Sequence, residues 1–137
     1  MGWFDLGDVR WLGVAVATLA AFMVSFLWHD PRGLGTAWAR RAGVDLAQAR
    51  AGMAARVTAV VAFAVTAVVM FVVQAELLVV SVGGGLVFGA AVGLVLRLLW
   101  SALHGANEFR PIALTLLDGA HDVVALAVIG AVVGAFL

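Results

Sequence analysis

Four side chains in the C-terminal part of this 137-residue chain have the chemistry to move a proton or hold an ion: Arg97, Asp118, His121 and Asp122. Each stands in an otherwise apolar stretch. Asp118, His121 and Asp122 follow i, i+3, i+4 spacing, so on a helix they share one face. A histidine beside two carboxylates can change charge state near neutral pH, and Arg97 supplies an opposite charge. The set can bind a proton, an ion or a small polar solute, or it can be a satisfied polar cluster that fixes helix register. It could also do acid–base chemistry. No nucleophile, metal-ligand set or cofactor motif accompanies it, so an enzyme is the least favoured class and neither metal nor cofactor is expected. His29 and His104 have no histidine partner near them in sequence.

Composition sets what must position these residues. Hydrophobic residues make up 65% of the chain and charged residues 12%, with a mean hydropathy of +1.14. Soluble domains are nearer half apolar and a quarter charged, and a fold this small could not hide the excess from water. In a bilayer, lipid takes the place of water as the outer solvent. Four apolar runs, about 11–28, 54–73, 79–103 and 112–137, approach the ~20 residues a helix needs to cross a ~30 Å hydrocarbon core. Their length argues against buried strands, and the lack of alternating polarity argues against a barrel. The expected fold is all-α: a polytopic membrane helical bundle of about four transmembrane helices, forming a single integral membrane domain over residues 1–137.

Trp11, Trp28 and Trp100 near the span ends suit an interfacial aromatic belt or simple packing. A net charge of zero gives a nucleic-acid partner no footing. The absence of cysteine excludes disulfides, thiolate metal sites and a cysteine nucleophile. Asp5 and Asp8 against Arg10 do not make the basic start of a cleaved signal peptide, so the first run is read as a retained helix.

All eight basic residues are arginine. Arg32, Arg40, Arg41 and Arg50 fall between the first two spans, with Arg56 at the end of that loop, and Arg110 falls between the last two, while Arg10 alone lies on the other side. The positive-inside rule puts the Arg-bearing loops in the cytoplasm and both termini outside. Richness in Ala, Val, Gly and Arg associates the chain with a GC-rich bacterial genome, hence a bacterial inner membrane. In the first loop, His29-Asp30-Pro31-Arg32-Gly33 reads as a turn. Thr36 reads as the cap of a short helix through Ala42, closed by Gly43. Asp45 with Gln48 reads as a capping box for a helix that continues into the second span. Leu34 and Trp38 would let this segment lie on the cytoplasmic membrane surface, with a plain solvated loop as the alternative.

A charge at the centre of a membrane helix costs roughly 2.5–3.5 kcal/mol on insertion scales, so pairing is favoured. If the third span ends near Leu103 and the fourth begins near Ile112, Arg97 and Asp118 each lie about six residues, or ~9 Å, inside the same boundary. An Arg97–Asp118 pair is then expected, with His121 and Asp122 one turn deeper. Gly85, Gly89 and Gly93 form a small-residue row that Arg97 continues, and Gly130 and Gly134 form a second. Such rows let backbones approach closely. The first is read as packing within one subunit, and the second is open between that and self-association. Gly83-Gly84-Gly85 lacks the lysine and the strand-to-helix context of a phosphate loop.

Two stretches carry a family likeness. Trp28-His29-Asp30-Pro31 followed by Gly35-Thr36-Ala37-Trp38 is similar to a W-Y-x-P…G-x-x-W motif. Phe109-Arg110-Pro111 followed by Asp118-Gly119-Ala120-His121-Asp122 is similar to R-P…D-A-G-Y-H, and Gly130 and Gly134 match a glycine-rich end. In this order and spacing, over nearly the whole chain, the sequence resembles the bacterial domain of unknown function 1761 family. The resemblance implies a small four-helix membrane protein with no assigned activity and marks Trp28, Pro31, Trp38, Arg110 and Pro111 as motif residues. The chain departs from the pattern with Asp122 in the place of the family histidine and with Arg97 where an apolar residue is expected.

These readings converge on a non-enzymatic, oligomeric membrane protein with a polar intramembrane site for a proton, ion or small solute. The alternative is an accessory or scaffolding subunit of a larger membrane complex, on the strength of small size and glycine rows. The expected partners are the lipid bilayer and either further copies of the chain or that larger complex.

Overall fold

The structure is a computed structural model and describes residues 6–137; Asp5, read above with Asp8, lies outside the described residues. After a single 3-10 turn at Leu6–Asp8, the elements are α1 (Trp11–Trp28), α2 (Gly35–Ala42), α3 (Leu46–Ala51), α4 (Met53–Glu76), α5 (Val82–Val92), α6 (Trp100–Asn107) and α7 (Ile112–Phe136). Between α5 and α6 the chain stays helical but widens to π-type bonding over Gly93–Leu99. The fold is thus all-helical among the described residues, and α1, α4, the continuous Val82–Asn107 helix and α7 are long and apolar enough to cross a membrane.

The distribution of side-chain size fits a lipid solvent. The buried positions of α1 are Gly13, Val14, Ala17 and Ala21, whereas Leu12, Leu19, Phe26 and Leu27 on the same helix are exposed. Lipid tails are as apolar as leucine, so bulky residues lose little by facing outward and small ones let helices close on each other. Ala67, Met70 and Phe71 of α4 and Ile129 and Val133 of α7 complete the buried core around α1.

Helix α7 is the centre of the bundle. α5 lies along it most extensively, α1 packs on another face, and α4 packs on α1 with a smaller contact to α7. The α5–α7 seam is built from the glycines: a Cβ on Gly85 would overlap the Gly130 carbonyl, one on Gly130 the Gly85 carbonyl, and one on Gly134 the Ser81 carbonyl. Gly89 and Gly93 meet the backbone of Leu126 and Val123 in the same way. Both glycine rows therefore face each other within one chain.

Arg97 does not continue that row. In the π-helical stretch backbone hydrogen bonds span five residues instead of four, which widens each turn, and the position against α7 after Gly93 is Leu98, which lies against Gly119. Arg97 is displaced to the flank of the seam.

The first loop differs from its sequence reading in two places. Leu34 is the N-cap of α2, and Thr36 sits inside the helix with its hydroxyl donating to the Pro31 carbonyl at 3.2 Å. Asp45 does cap α3, accepting from the Ala47 and Gln48 amides, but α3 stops at Gly52, whose extended backbone (ψ 111°) separates it from α4. Gly43 closes α2 in the left-handed region (φ 69°), as a helix C-terminus favours.

Candidate functional site

The two motif stretches, eighty residues apart, meet in space. α1 ends at Trp28, and the turn after it reverses the chain: the Gly33 and Gly35 amides both donate to the Asp30 carbonyl, at 2.9 and 3.1 Å, and Arg32 N–H donates to the Asp30 carboxylate. A Cβ on Gly35 would overlap the His29 carbonyl, so the sharpness of the reversal requires glycine there. Pro31 fits the turn because it has no amide to place. The consequence is that Trp38, one turn into α2, stands edge-on to His29 (ring centroids 5.0 Å apart) and donates its indole N–H to Asp118 Oδ1 at 2.8 Å.

At the other end, Phe109 adopts a positive φ (56°) to close the turn between α6 and α7, and Pro111 caps α7. Arg110 folds back so that its guanidinium pairs with Asp118 Oδ2. Asp118 is thus shared between Arg110 and Trp38. One turn deeper Asp122 is shared alike: Oδ2 accepts from Arg97 (Nη2 at 2.8 Å, Nε at 3.0 Å) and Oδ1 from the His121 ring at 3.0 Å.

The sequence paired Arg97 with Asp118; the structure pairs it with Asp122. The reason is the helix end. The third span continues to Asn107 rather than stopping near Leu103, so Arg97 and Asp122 are each ten residues from the turn that joins the two helices. The π stretch then turns Arg97 toward α7's flank.

Sequence reasoning also missed the histidine pair. The His29 and His121 rings lie 5.4 Å apart, and Trp28 stands edge-on to His121 at 5.8 Å. His29 Nδ1 lies 2.9 Å from the Ser25 carbonyl, which can only accept, so that nitrogen carries the proton. His121 Nδ1 likewise donates to Asp122. The available signal was the two motifs themselves, each bringing aromatic rings beside acidic or basic residues. His104 lies apart, with its ring against Trp100. Among the described residues no three His, Asp or Glu side chains converge as a metal site.

The cluster is enclosed unevenly. The His121 side chain is 12% exposed and Asp122 22%, whereas Arg97 is 59% exposed on a groove of about 220 Å³ between α4 and α7, lined also by Phe63, Thr66 and Ile129. Two polar atoms in the cluster, Trp28 Nε1 and His121 Nε2, are buried without a hydrogen-bond partner. With Nδ1 donating to Asp122, Nε2 of the neutral His121 ring is an acceptor, and the indole N–H can only donate.

One family model, described as a protein of unknown function (DUF1761), matches residues 12–134. That span holds both motif stretches, the π-helical segment and the glycine seam. No curated protein and no solved structure matches the chain.

Proposed function

The chain belongs to the DUF1761 family, and from that premise we propose that it is a non-enzymatic membrane protein whose inter-helix polar site takes up a proton, an ion or a small solute. One observation carries the reading. An orphaned donor (Trp28 Nε1) and an orphaned acceptor (His121 Nε2) are buried on adjacent rings. Buried polar groups are nearly always satisfied, and a small guest with both hydrogen-bonding characters would serve both atoms. His121, tied to Asp122 and next to His29, can exchange a proton with such a guest.

The arginine asymmetry supports cytoplasmic loops, with both termini outside a bacterial inner membrane. Oligomerisation finds support in Arg97, because a half-exposed guanidinium on a lipid-facing flank is favoured where another copy or a polar group covers it. The accessory-subunit reading loses the glycine rows as its support, since they are consumed inside the chain.

The test is proton flux. Protein is reconstituted in phosphatidylcholine vesicles holding a pH-sensitive dye, and a potassium diffusion potential is imposed. Wild type is expected to exceed protein-free vesicles, and Asp122→Asn to return to the protein-free rate with an unchanged gel-filtration profile. A normally assembled Asp122→Asn protein with the wild-type rate would sink the reading.

A further inference from the structure

A second cavity adjoins the cluster on the side of the arginine-rich loop. It measures about 370 Å³ and lies between α1, α2, α3 and the start of α4, within the volume range of small-molecule sites. Its lining is graded. Phe22 and Ala59 sit six residues inside the ends of their helices. Arg50 and Arg56 sit at the loop end, with His29.

Every ionisable group in the lining is a base, and no carboxylate lines it. Asp30 reaches Arg50 at 3.4 Å from outside the lining, while the Arg50 guanidinium also lies over the Phe26 ring. Arg56 spends its Nε and Nη2 donors on the Arg50 carbonyl, at 3.1 and 2.7 Å. Among the described residues no carboxylate lies within ion-pair distance of Arg56, so its charge is uncompensated there. No side chain caps the first turn of α4, which contributes Ala55 and Arg56 to the same wall. The positive end of that helix adds to the field.

We propose that this cavity binds an amphipathic anion: one carboxylate or phosphate head held by Arg50 and Arg56, on a single apolar chain that runs inward between Phe22, Phe26 and Ala59. Head and tail then lie in the same sense as in the surrounding leaflet. Two lining side chains connect the anion to the polar cluster, because His29 stands against His121 and Trp38 holds Asp118. The inference goes beyond the proposed function, because the cavity is a separate site that adjoins the polar cluster.

The experiment is calorimetry on the full chain in phosphatidylcholine nanodiscs, with heats from empty discs subtracted. Decanoate and decyl phosphate are expected to give saturable binding, one per chain, and decyltrimethylammonium none. Arg56→Gln should weaken both anions about tenfold or more, the scale of a lost charge-assisted hydrogen bond. Ala59→Phe, which fills the apolar end, should weaken them while leaving the arginines in place.

Equal binding of the cation, or wild-type affinity in the two variants, overturns the proposal. Adding phosphatidylglycerol to the discs separates the sources. A fall in decanoate affinity assigns the site to the head of a leaflet lipid, and an unchanged affinity assigns it to a soluble anion. The two failures are also distinct. Decanoate binding alongside wild-type proton flux in Asp122→Asn leaves this site standing and removes the proton reading, whereas flux without anion binding does the reverse.

Discussion

Asp118 and Asp122 divide their oxygens by one rule, a guanidinium on one and a ring N–H on the other. That arrangement satisfies a carboxylate away from water without leaving it to a single long side chain. Trp38→Phe tests its weight. The ring against His29 is kept and only the indole N–H is lost, so the expected cost is that of one hydrogen bond to a charged group, roughly 1.5–3 kcal/mol. Equilibrium unfolding in mixed micelles measures it, and a loss below about 0.5 kcal/mol would mean the bond contributes little. Gln74 makes the opposite case. It is fully buried, and neither its amide nitrogen nor its oxygen has a partner. Gln74→Met keeps the volume and removes two orphaned groups, so the variant should be at least as stable as wild type. Destabilisation beyond about 1 kcal/mol in the same assay would show that the amide is satisfied after all.

At the scale of elements, the α5–α7 seam and the π-helical stretch work as a pair. The seam fixes the separation of two helices through carbonyl-to-glycine approach, and the π stretch releases Arg97 from the seam so that it reaches Asp122. Gly85→Ala places a methyl group on the Gly130 carbonyl and should cost about 1–3 kcal/mol by overpacking. Gly83→Ala, two residues away with open space around its Cβ position, should be neutral or stabilising by up to about 1 kcal/mol from helix propensity alone. Thermal unfolding of the two variants decides the matter, and equal effects would contradict the seam. The spacing of the glycines exposed the row, but not its partner, because small residues pack equally well within a chain or between chains. The end of the row was hidden for a different reason: a change from α-type to π-type hydrogen bonding leaves no mark in composition.

At the scale of the whole molecule, orientation is open to a direct measurement. The chain has no cysteine, so single substitutions at exposed loop positions report sidedness without background. Ala47→Cys in α3 is expected to react with a membrane-impermeant maleimide only from the cytoplasmic side, and Val80→Cys, 54% exposed before α5, only from outside. The reverse pattern would invert the topology. Length, apolarity and loop charge are properties of local sequence, and for that reason the all-helical, four-span fold could be read directly, with helix ends shifted by a few residues. Asp118, His121 and Asp122 could be placed on one face because helical spacing is local too. What answered those groups was decided only by tertiary structure. The Trp38 bond to Asp118, the His29–His121 contact and the exchange of Arg97's partner all depend on the reversal at Gly35, on where α6 ends and on the π turn, and these act between segments far apart in the chain.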